Sequence, residues 1–221
     1  MAYHHGDLRR VLLEATAEAI EENGVAALSM RDLARRAGVS HAAPTHHFGD
    51  KAGLLTAFAA EGYEQLAQEL AGGSFLEMGV AYVRFALTRR AQFEVMYRPD
   101  LYHADDPALV AARAKSAEAL YDRAEHGNQK SAGDGIQSDA RNGNQKDARI
   151  TGQAGWSIAH GFATLWLSGA FPDRDQDPIA LARALFQELN RAPEDLNRTP
   201  EDVDRGPEEP DPDELDRDPE A

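Results

Sequence analysis

The chain has 221 residues, a formal charge of −15 at pH 7, 42% apolar and 28% charged side chains, and no cysteine. That balance excludes collagen-like, membrane-spanning and wholly disordered chains, and the missing thiols exclude disulfides and thiolate metal centres. The charge is also uneven: residues 192–221 hold 13 acidic side chains against three arginines, a net of −10, which leaves −5 for residues 1–191.

The apolar spacing is helical almost throughout, which predicts an all-α fold of about nine helices. Leu8, Leu12, Ala15 and Ala19 recur at three- and four-residue steps, and Asn23-Gly24 ends that first helix. Ser29 opens "SMRD", where a hydroxyl cap and a carboxylate three residues on can satisfy exposed amides reciprocally. Leu33 and Ala37 face inward, Gly38 closes this second helix, and Ser40 is read as the cap of a third, with Pro44 in its first turn. After Gly49, Asp50 caps a fourth helix running from Lys51 toward Leu70, with Leu55, Phe58, Gly62, Leu66 and Leu70 on its buried face. Further helices are predicted at about 75–96, 107–125, 150–170 and 178–190, with breaks at Pro99, Pro107, Pro172 and Pro178.

Two segments do not read as folded. Residues 126–149 have Ile136 as almost their only large apolar residue, and "GNQK" and "DAR" each occur twice there. They are expected to form a low-complexity loop that buries too little surface to offset ordering entropy. Residues 191–221 read as an acidic disordered tail, either a solvated extension or an intramolecular competitor for a cationic surface of the same chain. The resulting division is 1–55, 56–190 and 191–221. No run of about 18 apolar residues exists, and the opening "MAYHHGDLRR" has neither a basic nor an apolar leader region, so a cytoplasmic chain without a membrane partner is expected.

The stretch "MRDLARRAGVSHAAPTHHFGDKAGLL", residues 30–55, runs against the overall charge. Between Arg31 and Lys51 the balance is +2 before any histidine protonates. Two short helices joined by "AGVS" must cross steeply, which describes a helix-turn-helix. The second opens with small and polar side chains, as insertion into the major groove requires, and Ser40, His41, Ala42, Thr45 and His46 fall there. Arg31 belongs to the same cationic patch, while Arg35 and Arg36 read equally as phosphate contacts or as a solvated helix face. His41, His46 and His47 are spaced by five and one and do not converge, so no metal is assigned, and His47 is expected to pack beside Phe48.

These residues resemble the DNA-binding domain of the tetracycline-repressor (TetR) family of bacterial transcription regulators. The likeness runs through Ser29, Leu33-Ala34, Ala37-Gly38-Val39-Ser40, Phe48, Lys51 and Leu54-Leu55, and covers about residues 6–58. It implies a homodimer on a double-stranded, pseudo-palindromic DNA operator, usually a repressor released by a small-molecule effector, with Ser29 and Lys51 on phosphates. The family commonly has tyrosine where this chain has Thr45, which keeps a hydroxyl but loses reach.

"GWSIAHGFATLWLSGAF", residues 155–171, is similar to the C-terminal domain of the TetR branch marked by Trp followed by His-Gly, here Trp156 and His160-Gly161. Trp156, His160, Ala163 and Leu167 share one helix face and read first as core or interface. Phe85, Phe93, Met96, Tyr97, Leu120, Trp156, His160 and Phe162 are candidates to line an effector cavity or, equally, to fill a core. No nucleophile elbow, phosphate loop, HExxH or dinucleotide turn appears, so neither an enzyme nor a cofactor is expected. The alternative reading is a helical interaction adaptor without DNA binding.

Overall fold

The computed structural model describes residues 5–129, 140–172 and 174–189. Among these are nine α-helices, two single-turn 3-10 helices and no strand, so the all-α expectation holds. Helix α1 (His5–Asn23) buries Leu12, Ala15 and Ala19 as the spacing predicts, and Leu13, Thr16 and Ile20 widen the stripe. Thr16 tolerates burial because its hydroxyl donates to the Leu12 carbonyl at 2.7 Å. A 3-10 turn, Val25–Ala27, leads into α2 (Met30–Arg36), α3 (Ala43–Phe48) and α4 (Lys51–Leu70).

Two local readings need correction here. Ser29 is the N-cap of α2, but its hydroxyl makes no cap bond. Asp32, the other half of the expected box, is bound by the guanidinium groups of Arg35 and Arg36, and these charge-assisted bonds are stronger than an amide contact. Helix α3 starts at Ala43, two residues later than a Ser40 cap implies. The Ala43 amide donates to the Ser40 carbonyl at 3.0 Å, making a turn, and Pro44 takes a first-turn position where its absent N–H has no helical partner.

Helix α4 is the long rod shared by both halves of the molecule. Asp50 caps it, accepting from the Gly53 amide at 2.8 Å, and Leu55, Phe58, Gly62, Leu66 and Leu70 are all buried along it. Its first turns complete the helix-turn-helix core with Leu12, Leu33 and Leu54, and the remainder packs against α5 (Phe75–Thr88), α6 (Arg90–Met96) and α7 (Pro107–Gln129). The single helix expected over 75–96 is two, broken at Arg89. Continued unbroken, the Met78–Tyr82–Phe85 stripe would carry Arg89 into the core; the break leaves Arg89 exposed and lets α6 bury Ala91, Phe93, Val95 and Met96.

Helices α8 (Ala140–Ser168) and α9 (Pro178–Leu189) close the C-terminal part. The stretch 126–149, predicted as a loop, is helical at both ends, since α7 runs through Gln129 and α8 starts at Ala140. Extending a helix already nucleated by packing adds one bond per residue fixed and needs no large apolar side chain. Residues 130–139 and the tail over 191–221 lie outside the described residues. Glu77 at the start of α5 forms a two-pronged ion pair with Arg183 of α9, and Phe186 packs on Phe162, fixing α9 beside α5 and α8.

Candidate nucleic-acid interface and effector cavity

The turn between α2 and α3 is set by Gly38, whose φ of +66° is a left-handed conformation that side chains resist. Its amide donates to the Arg35 carbonyl at 3.2 Å and the Val39 amide reaches back to Ala34 at 3.0 Å, the paired bonds of a Schellman motif. Leu33, Ala34 and Pro44 are buried at the crossing, while Ser40, His41, Ala42, Thr45 and His46 are exposed. The end of α3 is pinned to α4 so tightly that a Cβ on Gly53 would overlap the Phe48 carbonyl oxygen.

The cations around this head divide by partner. Arg36 bridges Glu22 at 2.6 Å and Asp32 at 2.7 Å, so it ties α1 to α2. These bonds hold both carboxyls below the ordinary carboxylate range, chiefly through hydrogen bonding from Arg36. Arg35 also pairs with Asp32. Both arginines thus have acidic partners within the protein. Ser29 and Arg31 are exposed. The Lys51 ammonium donates to the Val25 and Ala26 carbonyls at 2.9 and 3.3 Å, holding the 3-10 turn to α4 and leaving one of its three donors. His47 is half-buried with its ring 6.2 Å from that of Phe48.

A cavity of about 360 Å³ opens in the C-terminal part, within the range of small-molecule sites. Tyr63, Leu66 and Leu70 of α4 form one wall, and Arg113, Ser116 and Leu120 of α7 form another. Tyr82, Met96, Tyr97, Tyr102 and Trp156 also line it. A smaller apolar recess of about 70 Å³ adjoins it across Leu70, Tyr82, Leu120 and Trp156 and reaches Phe75, Met78 and Phe186.

Polar order in the cavity comes from two clusters. Tyr63 and Tyr102 both donate to the Met96 carbonyl, at 2.9 and 2.8 Å. The Tyr82 hydroxyl gathers the other cluster: it lies 2.7 Å from the Tyr97 hydroxyl and 2.9 Å from His160 Nδ1, and it accepts from Trp156 Nε1 at 3.2 Å. Burial raises the Tyr63, Tyr82 and Tyr97 hydroxyls above the ordinary phenol range, so all three stay neutral, and burial lowers His160.

Comparison with known proteins decides the family. Residues 12–58 match the family model described as "Bacterial regulatory proteins, tetR family", and residues 75–189, more than half the chain, match "Tetracyclin repressor-like, C-terminal domain". The chain belongs to the TetR family. That family consists of DNA-binding transcriptional regulators and is not enzymatic. Among curated relatives, the HTH-type transcriptional regulator BetI of Escherichia coli (strain K12) is 33% identical over 113 residues, 42% of this chain. The chain spans 58% of the length of that relative. A solved protein of unknown function from Rhodococcus sp. RHA1 is 31% identical with a TM-score of 0.68, covering 86% of this chain and 96% of its own. The TetR family regulator PfmR from Thermus thermophilus, 22% identical with a TM-score of 0.57 over 81% of this chain and 96% of its own, shares the fold.

Set on this TetR fold, the residues expected to bind an effector separate. Met96, Tyr97, Leu120 and Trp156 line the cavity. Phe85 is core, 1% exposed, and Phe162 packs between Trp166 and Phe171. Phe93 and His160 stand one layer behind the wall, their rings 5.3 Å apart, and His160 acts on it through Tyr82. Tyr63, Leu66, Tyr82, Tyr102, Arg113 and Ser116 also line the cavity but carry no signal in the sequence, because each occupies an ordinary helical position and their convergence depends on how α4, α5 and α7 pack. Among the described residues, no group of three or more His, Cys, Asp or Glu is placed to hold a metal, and no helix is long and apolar enough to cross a membrane.

Proposed function

We propose that this TetR-family chain is a homodimeric repressor in the bacterial cytoplasm that binds a pseudo-palindromic DNA operator and releases it when a small molecule fills the C-terminal cavity. The observation that carries the reading is the exposure of Ser40, His41, Ala42, Thr45 and His46 together on and just before α3 while Leu33, Ala34 and Pro44 anchor it from below. Short polar and small side chains on an exposed, rigidly held helix suit base edges in the major groove. Ser29, Arg31 and the remaining donor of Lys51 flank that face and suit phosphates.

Dimerisation is supported by apolar side chains left facing solvent on the last two helices. Ile158 and Leu165 on α8 are 42% and 49% exposed, and Leu189 on α9 is 62% exposed, with Leu185 one turn before it. A Cβ on Gly161, between Ile158 and Leu165, would meet nothing within 4 Å, so another helix can approach closely there. The convergence of Trp156 and His160 on Tyr82 supports reading the C-terminal part as the branch marked by Trp and His-Gly.

Coupling between the two halves runs through α4, which carries Asp50 and Lys51 at the DNA end and Tyr63, Leu66 and Leu70 at the cavity. The loop after the Pro99–Leu101 turn braces it, the His103 amide donating to the Thr56 hydroxyl at 3.0 Å. A ligand that binds the two arrangements of α4 unequally shifts operator affinity by that difference. A gel-shift with DNA upstream of its own gene tests the function: retardation of that duplex and not of a scrambled one is expected. Failure to retard any duplex leaves the adaptor reading instead.

A further inference from the structure

The cavity wall contains one full positive charge, and its surroundings say what it is for. Arg113 on α7 donates through Nη2 to the Tyr102 hydroxyl at 3.2 Å, and its guanidinium carbon lies 5.4 Å from the centre of the Tyr63 ring. No ion pair among the described residues involves Arg113, and its Nε is buried without an acceptor. No acidic side chain lines the cavity. A guanidinium N–H drawn out of water is ordinarily matched by a carboxylate or phosphate, because a buried donor of a charged group left without an acceptor is costly.

Resting on the reading of this cavity as the effector site, we infer that it takes an organic acid: a compact singly charged oxyanion, such as a carboxylate, on an apolar body. The head would meet Arg113, whose planar fork of donors matches a carboxylate edge. The body would lie along Leu66, Leu70 and Leu120 toward Trp156 and the apolar recess ending at Phe75 and Phe186. The tyrosine-rich wall alone would equally suit a quaternary ammonium. Arg113 decides against it, since the guanidinium already stands over the Tyr63 ring and a second cation beside it is repelled in a low-dielectric pocket.

Three probes that share an eight-carbon chain and differ in the head group test this on the full-length protein: octanoate, octan-1-ol and octyltrimethylammonium. Binding is read by calorimetry and by Trp fluorescence. Octanoate is expected to bind at least about tenfold tighter than octanol, the discrimination of a charge-assisted hydrogen bond, with octyltrimethylammonium weakest. In Arg113→Gln the octanoate-to-octanol ratio should fall to near one. If that variant does not fold, Arg113→Lys should show a ratio between those two values. Equal binding of octanoate and octanol to the wild type, tighter binding of the ammonium, a ratio untouched by the Arg113 variants, or no binding of any probe overturns the inference. Operator release is measured separately: octanoate binding through Arg113 with unchanged operator affinity supports the anion site and contradicts the proposed release.

Discussion

The two ends of α4 are built on different principles. At the DNA end, close backbone approaches set by glycine fix short helices, with ion pairs on the outside. At the cavity end, large aromatic side chains brought from distant parts of the chain leave a space between them. The head therefore has little room for change in its backbone contacts, whereas the cavity tolerates changes of side chain at the cost of single hydrogen bonds.

This contrast can be broken most severely at the element both regions share. Phe58 is 1% exposed on α4, and Phe58→Ala should cost about 3–5 kcal/mol and lower the melting temperature of the whole chain. Gly53→Ala should cost about 1–3 kcal/mol despite alanine's better helix propensity, because the clash is with the Phe48 carbonyl and not with a movable side chain. Its damage should be confined to the head, with operator affinity lost while probe binding in the cavity persists in fluorescence titrations.

At the other end, Tyr82→Phe removes one hydroxyl from three neighbours and should cost about 1–3 kcal/mol by thermal denaturation, with the helical content by circular dichroism unchanged. Leu165→Glu should convert dimer to monomer in light scattering if the exposed stripe on α8 is the interface.

The smallest expected effect is on pH dependence. Burial lowers His160 from its ordinary 6.5, so the unfolded chain takes up this proton first as pH falls. The stability His160 contributes is therefore complete above about pH 6.5 and declines below it until the folded group also protonates. His160→Gln should flatten the melting temperature between about pH 7 and pH 5 relative to wild type. Glu22 and Asp32, both held low by Arg36, act in a lower window, losing their contribution only as pH falls through the carboxylate range.

How much of this is legible in the sequence follows from the same contrast. Gly38, Pro44, Asp50 and Leu55 act on residues within a few positions of themselves, so spacing and turn chemistry alone reveal the helix-turn-helix. The Ser29–Asp32 box does not form, because Arg36 binds Asp32 while also reaching Glu22, which lies in another helix and outside the reach of local rules. The cavity joins Tyr63, Tyr82, Tyr102, Arg113 and Trp156, whose separations along the chain have no characteristic period, so aromatic content alone does not distinguish wall from core. Phe85 and Tyr97 illustrate this: both are large aromatic residues in the same region, yet one is core and the other lines the cavity.

The claim on which the account rests is that the exposed face of α3 reads bases. Selection of bound sequences from a random duplex pool, run in parallel on wild type, His46→Ala and Ser29→Ala, addresses it directly. The account predicts that His46→Ala changes the preferred base at one symmetry-related pair of positions, while Ser29→Ala weakens binding evenly across sequences. An identical consensus from wild type and His46→Ala would contradict it.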